Sequence, residues 1–466
     1  MAEAHPAAGD RALGAMGAMG AMAQATGLWS EVGTLRACLT CAPGDEFDVM
    51  VPAHIERTRR GPNGALEPNP DYLLFDDLVL LPLLQAEHAL MVDVIRAVTG
   101  PKRSHDLRTM LQHVLADPAV AGQVIDETLE LERQLGTAQR TTRQHARDLD
   151  ETRRRLRDLG PSDLAPALLS GLHPHDEAVP LLRWPMPNWM FARDNWAMVG
   201  DGVVVGYPKA TARKRDGILS RALLWHHPLL RDVPRLDLRP LEHGVSANEI
   251  DDDRCVEGGD VLVVSRGLVL IGIGVRTTAA AAQDLAVQLL AAGIGRVLGV
   301  YLPLERATMH LDTVFTFIDR AACLVHSPAF EPGQHPDEAV RVVDLAEPDR
   351  DLGSDLPGIL RDLGIDLQVL PCGDGDDRAA AREQWTDGAN AFCLGPGRIL
   401  LYARNTRTLR ALNRAGFEIL TPAQFVPNAD LLMTGDRRLV VALTGAELSR
   451  GRGGPRCLTL PLARGD

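Results

Sequence analysis

From residue 195 onward, short apolar runs recur in pairs, each pair broken by a turn of two or three small or polar residues. Asn195–Val199, the turn Gly200-Asp201-Gly202 and Val203–Val205 form one such pair. Val261–Val264, Ser265-Arg266-Gly267 and Leu268–Ile271 form the next. Val314–Ile318 with Asp319-Arg320, Ala391–Leu394 with Gly395-Pro396-Gly397, and Leu431–Met433 with Gly435-Asp436 repeat the pattern. Turns rich in Gly and Asp supply the positive φ that tight hairpins need, so the pattern predicts five hairpins built from one repeated unit. Helical periodicity follows some of them, at Thr278–Ala292 and Thr406–Ala415, and then another apolar strand, at Val297–Leu302 and Glu418–Leu420. The unit is ββαβ. A few such units closing around an axis make an α/β barrel or propeller; a doubly wound parallel sheet is the competing architecture. Against the latter, no strand leads into a GxGxxG turn, and hairpins are too frequent for a mainly parallel sheet.

Between Pro101 and Gly171 the pattern changes to Arg, Glu, Asp, Leu and Gln without a strand signal. Charges alternate at helical spacing over Glu127–Leu159, which predicts a helical hairpin or small bundle inserted into the first units. It serves as solvated scaffold or as a contact between subunits of a homo-oligomer. The first 26 residues, with Gly-Ala-Met repeated at Gly14–Met22, read as a disordered tail rather than a signal peptide. The expected division is therefore a tail over 1–26, the first part of the catalytic core over 27–100, a helical insertion over 101–175 and the rest of the core over 176–466.

Composition narrows the function. Aromatics make up 4% of the 466 residues, too few for a base-stacking platform, and a net charge of -13 gives no general attraction to phosphate. Nucleic acid is excluded as a partner, and a small cationic substrate suits the field better. No apolar run reaches the roughly 18 to 20 residues of a membrane span. Seven dispersed cysteines argue for a reducing cytoplasm, and Cys38-x-x-Cys41, lying in an apolar run with no second ligand pair, reads as two structural thiols.

The chemistry-bearing residues sit at equivalent points of the repeat. Asp194 precedes the first strand of one hairpin, Glu257 and Asp260 precede the next, and His310 with Asp312 precede the third. Equivalent points of repeated units lie at one end of the assembly, so groups far apart in sequence converge there. A glycine-rich loop near the chain end, Gly451-Arg452-Gly453-Gly454-Pro455-Arg456-Cys457, adds a thiol with arginines close by. Neighbouring cations lower a cysteine pKa, and the thiolate is the nucleophile.

Taken together, Met186-Pro187-Asn188, Phe191-Ala192-Arg193-Asp194, Glu257-Gly258-Gly259-Asp260, Met309–Phe315, Arg382-Glu383-Gln384-Trp385 and the Cys457 loop resemble arginine deiminase, of the guanidino-group-modifying superfamily. Ser30–Leu35 and Leu73–Asp77 resemble its opening, so the likeness runs in order from about residue 28 to 464. It implies a five-bladed ββαβ propeller with pseudo-five-fold symmetry and a helical insertion. It implies hydrolysis of free L-arginine to citrulline and ammonia without metal or cofactor. By the same resemblance Asp194 and Asp312 bind the guanidinium, Cys457 attacks its carbon, His310 acts as acid and then base, and Glu257 orients His310. The α-carboxylate falls to Arg213, Arg276 and Arg452, with Asn188 near the amino-acid end.

Two departures from the family pattern concern substrate access: Asp216-Gly217 stands where Glu-Thr is usual, and Glu46–Asn69 is a lengthened, Pro- and Arg-rich loop. An amidinotransferase would use the same Cys, His and carboxylates with an amine in place of water. Agmatine deiminase would need no carboxylate clamp, a binding protein would need no thiol, and His310, Asp312 and Glu257 could in principle hold a metal.

Overall fold

Four of the five expected hairpins form where the apolar pairs lie. In the computed structural model, which describes residues 27–135, 142–238, 254–330 and 340–465, Trp196–Val199 pairs antiparallel with Gly202–Val205 and Val261–Ser265 with Leu268–Ile273. Phe315–Asp319 pairs with Ala322–Val325 and Phe392–Gly395 with Arg398–Tyr402 in the same way. Each hairpin gains a third strand parallel to its second: Arg235–Leu236, Arg296–Tyr301, Gln368–Pro371 and Leu439–Leu443 respectively. A parallel neighbour requires a crossover, and helices supply it at Ala279–Ala291 and Thr406–Arg414. The side chain of Thr278 starts the first of these by accepting the Ala281 N–H, and Ala281, Ala282, Leu285, Ala286 and Leu289 form its buried stripe.

The fifth hairpin is not at Leu431–Asp436. Ala429–Leu432 is instead a helical turn, preceded by the short helix Pro422–Phe425, whose Thr421 and Gln424 make a capping box. Its apolar residues serve a helix face, with Leu432 buried and Leu431 exposed. The fifth unit joins the two ends of the chain: Leu460–Gly465 pairs antiparallel with Thr34–Thr40, which pairs parallel with Ser104–Asp106. Such a pairing leaves no local turn signal to read. Ser104–Asp106 also corrects the expectation of a strandless stretch from Pro101. Helices then occupy Leu107–Leu115, Pro118–Leu135, Thr142–Arg157 and Pro161–Ser170.

The architecture is thus mixed α/β, with five sheets of three or more strands among the described residues. Inner strands such as Leu268–Ile273 are buried on both faces, hence their unbroken apolar runs. Cys38 and Cys41 are buried free thiols, in keeping with a structural role. Among the described residues no helix is long and apolar enough to cross a membrane. The lengthened loop is ordered as a short hairpin, Thr58–Arg60 with Leu66–Pro68, anchored by Arg57 on Asp76 at 3.0 Å.

What positions the site is the turn ahead of each hairpin. Short helical turns at Ala192–Asn195, Gly258–Asp260 and Leu311–Thr313 immediately precede or adjoin the strands beginning at 196, 261 and 315. The 258–260 turn docks so closely that a Cβ on Gly258 would lie 2.2 Å from the Arg193 carbonyl oxygen. Asp260 then ties this turn to the next, accepting the Leu311 N–H at 2.9 Å and the Thr277 hydroxyl at 2.6 Å.

Candidate active site

His310, Glu257 and Asp194 meet at this end of the sheets. His310 Nε2 lies 2.9 Å from Glu257 Oε2, and its Nδ1 lies 3.9 Å from Asp194 Oδ1. The ring packs closely enough on Gly259 that a Cβ there would be 2.7 Å from Nδ1. Burial alone would pull the imidazole pKa down, but the Asp194 charge, the Glu257 hydrogen bond and Asp260 outweigh it and raise it to about 9. His310 is therefore a cation at neutral pH. Glu257 is held well below the usual carboxylate range, because Arg276, His310 and Arg213 together overcome its burial.

Cys457 is buried, with its Sγ 3.9 Å from Asp312 Oδ2. The expectation that flanking arginines lower its pKa is not met: burial, then Asp312, Asp194 and Asp387, push the thiol well above its ordinary value. The arginines are turned elsewhere. Arg456 binds Glu31 and Asp312, while Arg452 stacks 3.7 Å above the Trp385 ring and donates to its carbonyl oxygen at 2.8 Å. Burial and these carboxylates outweigh the cations nearby, and Cys457 stays a thiol.

Two carboxylate oxygens are the most informative atoms here. Asp194 Oδ2 is bound by Arg213 at 2.5 Å and Asp312 Oδ2 by Arg456 at 2.7 Å, yet Oδ1 of each is buried without a hydrogen-bond partner. An unpaired buried carboxylate oxygen is costly, so a pair of them points to a ligand that brings N–H donors.

The residues expected to hold an α-carboxylate line one small cavity. Asn188, Arg213, Arg276 and Arg452 surround it with Asp194, His310 and Cys457, and its volume of about 10 Å³ admits little more than a water molecule. Each arginine is engaged with protein: Arg213 bridges Asp194 and Asp216, Arg276 Nη1 lies 3.3 Å from both oxygens of Glu257, and Arg452 rests on Trp385. Asn188 donates to the Leu73 carbonyl at 2.7 Å. These side chains must shift to admit an amino acid. Asp216 takes the ion-pair position beside Arg213, so the departure there keeps a carboxylate.

Sequence reasoning missed several participants. Asn390 accepts the N–H groups of Arg456 and Cys457 and donates to the Asp312 carbonyl at 3.0 Å, fixing nucleophile and carboxylate together. Arg306 also lines the cavity and is held by Asp76. No spacing marks either one.

Asp194, Glu257 and His310 also bring one ligand atom each within 4.8 Å of the others, as a metal site would. The donor set fits a metal poorly. A ligating imidazole must be neutral, whereas His310 holds its proton up to about 9, and Arg213 already occupies both carboxylates.

A buried thiol, a cationic imidazole and carboxylate oxygens short of N–H donors are the parts of an enzyme that works on guanidino groups. The chain belongs to the arginine deiminase family: the family model for arginine deiminase matches residues 71–464. It is 30% identical over 461 residues to arginine deiminases of Staphylococcus aureus strains MRSA252 and Newman, covering 94% of this chain and 98% of each relative. It is accordingly a hydrolase acting on C–N bonds of linear amidines. Among solved structures, an amidinotransferase of saxitoxin biosynthesis from Microseira wollei aligns over 94% of this chain and 97% of its own at 11% identity and a TM-score of 0.48. The N-terminal domain of a cyanobacterial arginine dihydrolase aligns over 60% and 77% at 17% identity and a TM-score of 0.40. These likenesses are too distant to add to the family match.

Proposed function

We propose that the chain converts free L-arginine and water to L-citrulline and ammonia through a covalent intermediate on Cys457. The observation that carries this reading is the pair of buried, unpartnered oxygens, Asp194 Oδ1 and Asp312 Oδ1, on two carboxylates that come within 3.9 Å of the imidazole and of the thiol respectively. A guanidinium is planar and cationic, and N–H donors on two edges match two carboxylates. Its arrival also adds positive charge against the carboxylates that hold the Cys457 proton in place. With the cation in place the thiol loses its proton to solvent and the thiolate attacks the guanidinium carbon. The C–S bond forms, His310 gives its proton to the departing nitrogen, and the C–N bond breaks to release ammonia. Neutral His310 then takes a proton from water as the C–O bond forms. Breaking the C–S bond returns the sulfur and frees citrulline. Glu257 keeps the imidazole oriented and recharged.

Arg276, Arg452 and Arg213, moved from their present partners, are the groups that recognise the α-carboxylate in this reading. In the same reading the five sheets are blades of a ββαβ propeller, and the helices that follow Ser104–Asp106, from Leu107 to Ser170, are an insertion in it. The shared pattern of an antiparallel hairpin with a parallel third strand supports this, with the chain ends providing the fifth. The test is direct: purified protein incubated with L-arginine should yield citrulline and ammonia identified by mass. Protein that leaves arginine unchanged, or transfers the amidino group to an added amine in preference to water, would overturn it.

A further inference from the structure

Arg456 is more than the neighbour of the nucleophile. Its side chain is 2% exposed and reaches three separate segments of the chain. Nε and Nη2 form a fork with Glu31 at 3.1 and 3.0 Å, Nη2 also donates to the Val261 carbonyl at 3.0 Å, and Nη1 donates to Asp312 Oδ2 at 2.7 Å. Its own N–H is held by Asn390 at 3.1 Å. Glu31 is fixed in turn, since its Oε1 accepts the Val263 N–H at 3.1 Å. Glu31 does not line the substrate cavity; it borders a second one, of about 350 Å³, with Ser30, Ser265, Asp319 and Arg320. Glu31, Arg456 and Asp312 therefore form a chain from this second cavity to the carboxylate that lies 3.9 Å from the Cys457 sulfur.

We propose that Arg456, braced by Glu31, is a positioning residue that sets the rotamer of Asp312, so that Oδ2 is occupied and Oδ1 faces the guanidinium. This rests on the reading that Asp312 binds the guanidinium. A carboxylate held by nothing would turn toward another donor. A single forked cation prevents this, because a guanidinium is planar and presents its N–H groups in fixed directions. Glu31 is needed because an Arg456 without its second partner would satisfy itself on both oxygens of Asp312. Asp312 would then have nothing left for the substrate.

The test compares Glu31→Gln, Arg456→Gln, Arg456→Lys and Asp312→Asn with the wild type, giving kcat and KM per folded molecule alongside thermal unfolding. Arg456→Gln should lose at least about thirtyfold in kcat/KM, from breaking a buried charge pair. Glu31→Gln, which touches no substrate, should lose about tenfold with KM raised, from one charged hydrogen-bond partner. Arg456→Lys should recover part of what Arg456→Gln loses. Should Arg456→Gln fail to fold, Glu31→Gln and Arg456→Lys carry the comparison. Wild-type kcat and KM per folded molecule in the Glu31 and Arg456 variants, beside an impaired Asp312→Asn, would overturn the proposal while leaving the guanidinium reading intact. A fully active Asp312→Asn would remove that reading itself.

Discussion

Replacing Asp194 with Asn keeps the side chain's shape and removes its charge, and the structure fixes what that charge does. Oδ1 is the buried unpartnered oxygen assigned to the guanidinium, and it lies 3.9 Å from His310 Nδ1; Oδ2 holds Arg213 at 2.5 Å. Truncating one partner of a buried charge pair costs about 2 to 5 kcal/mol. At about 1.4 kcal/mol per factor of ten, kcat/KM should fall roughly thirtyfold to several thousandfold. A second effect separates this from simple damage. After burial, which acts in the opposite direction, the Asp194 charge is the foremost influence on His310, whose pKa is raised to about 9. Turnover needs charged His310 and the Cys457 thiolate together, and Asp194 raises the pKa of both, so the alkaline decline of kcat/KM should move to lower pH in Asp194→Asn. The stability that charged His310 contributes has the same sign: complete below its ordinary 6.5, it is lost as pH rises through about 9. The assay is citrulline production from pH 6 to about 10.5, with unfolding followed over the same range. A variant within fivefold of wild type, or one whose alkaline decline stays in place, would refute the placement of Asp194.

Agmatine shares the guanidinium and lacks the carboxylate, so wild type should favour arginine by about 10⁴-fold or more. Arg452→Ala should lose activity on arginine and narrow that preference, and equal wild-type rates on both substrates would remove the clamp. Gly259→Ala puts a Cβ 2.7 Å from His310 Nδ1, so the ring must shift, and kcat should drop at least about tenfold; an unchanged kcat would show that the ring's position is not critical. Excess chelator should leave the rate of ammonia release unchanged, whereas loss restored by a divalent cation would reinstate a metal at Asp194, Glu257 and His310.

Local patterns in the sequence made much of this legible. Apolar pairs flanking Gly-rich turns marked four hairpins because both strands and the turn between them are contiguous. The strand pairing Thr34–Thr40 with Leu460–Gly465 was hidden because its partners lie at opposite ends of the chain. Leu431–Met433 misled for a related reason: a short apolar run fits a helical turn as well as a strand, and the Thr421 capping box upstream favours helix. In the site, repeat-equivalent positions brought Asp194, Glu257 and His310 together, as expected. Side-chain direction was beyond reach. Arg452 and Arg456 stand close to Cys457 in sequence, yet their guanidinium groups lie against Trp385 and Glu31 and leave the thiol among carboxylates. Asn390 carries no motif for its role, since a single amide becomes a hub only when three loops meet around it.

The claim on which the mechanism stands is that Cys457 carries the carbon of the guanidinium during turnover. Wild-type protein mixed with L-arginine, quenched in acid within a turnover and digested should show the Cys457 peptide heavier by arginine less ammonia, the thiouronium species. Cys457→Ser should fold normally, show no adduct and form no citrulline. Citrulline formation by Cys457→Ser at the wild-type rate, or an adduct on another cysteine, would contradict the account.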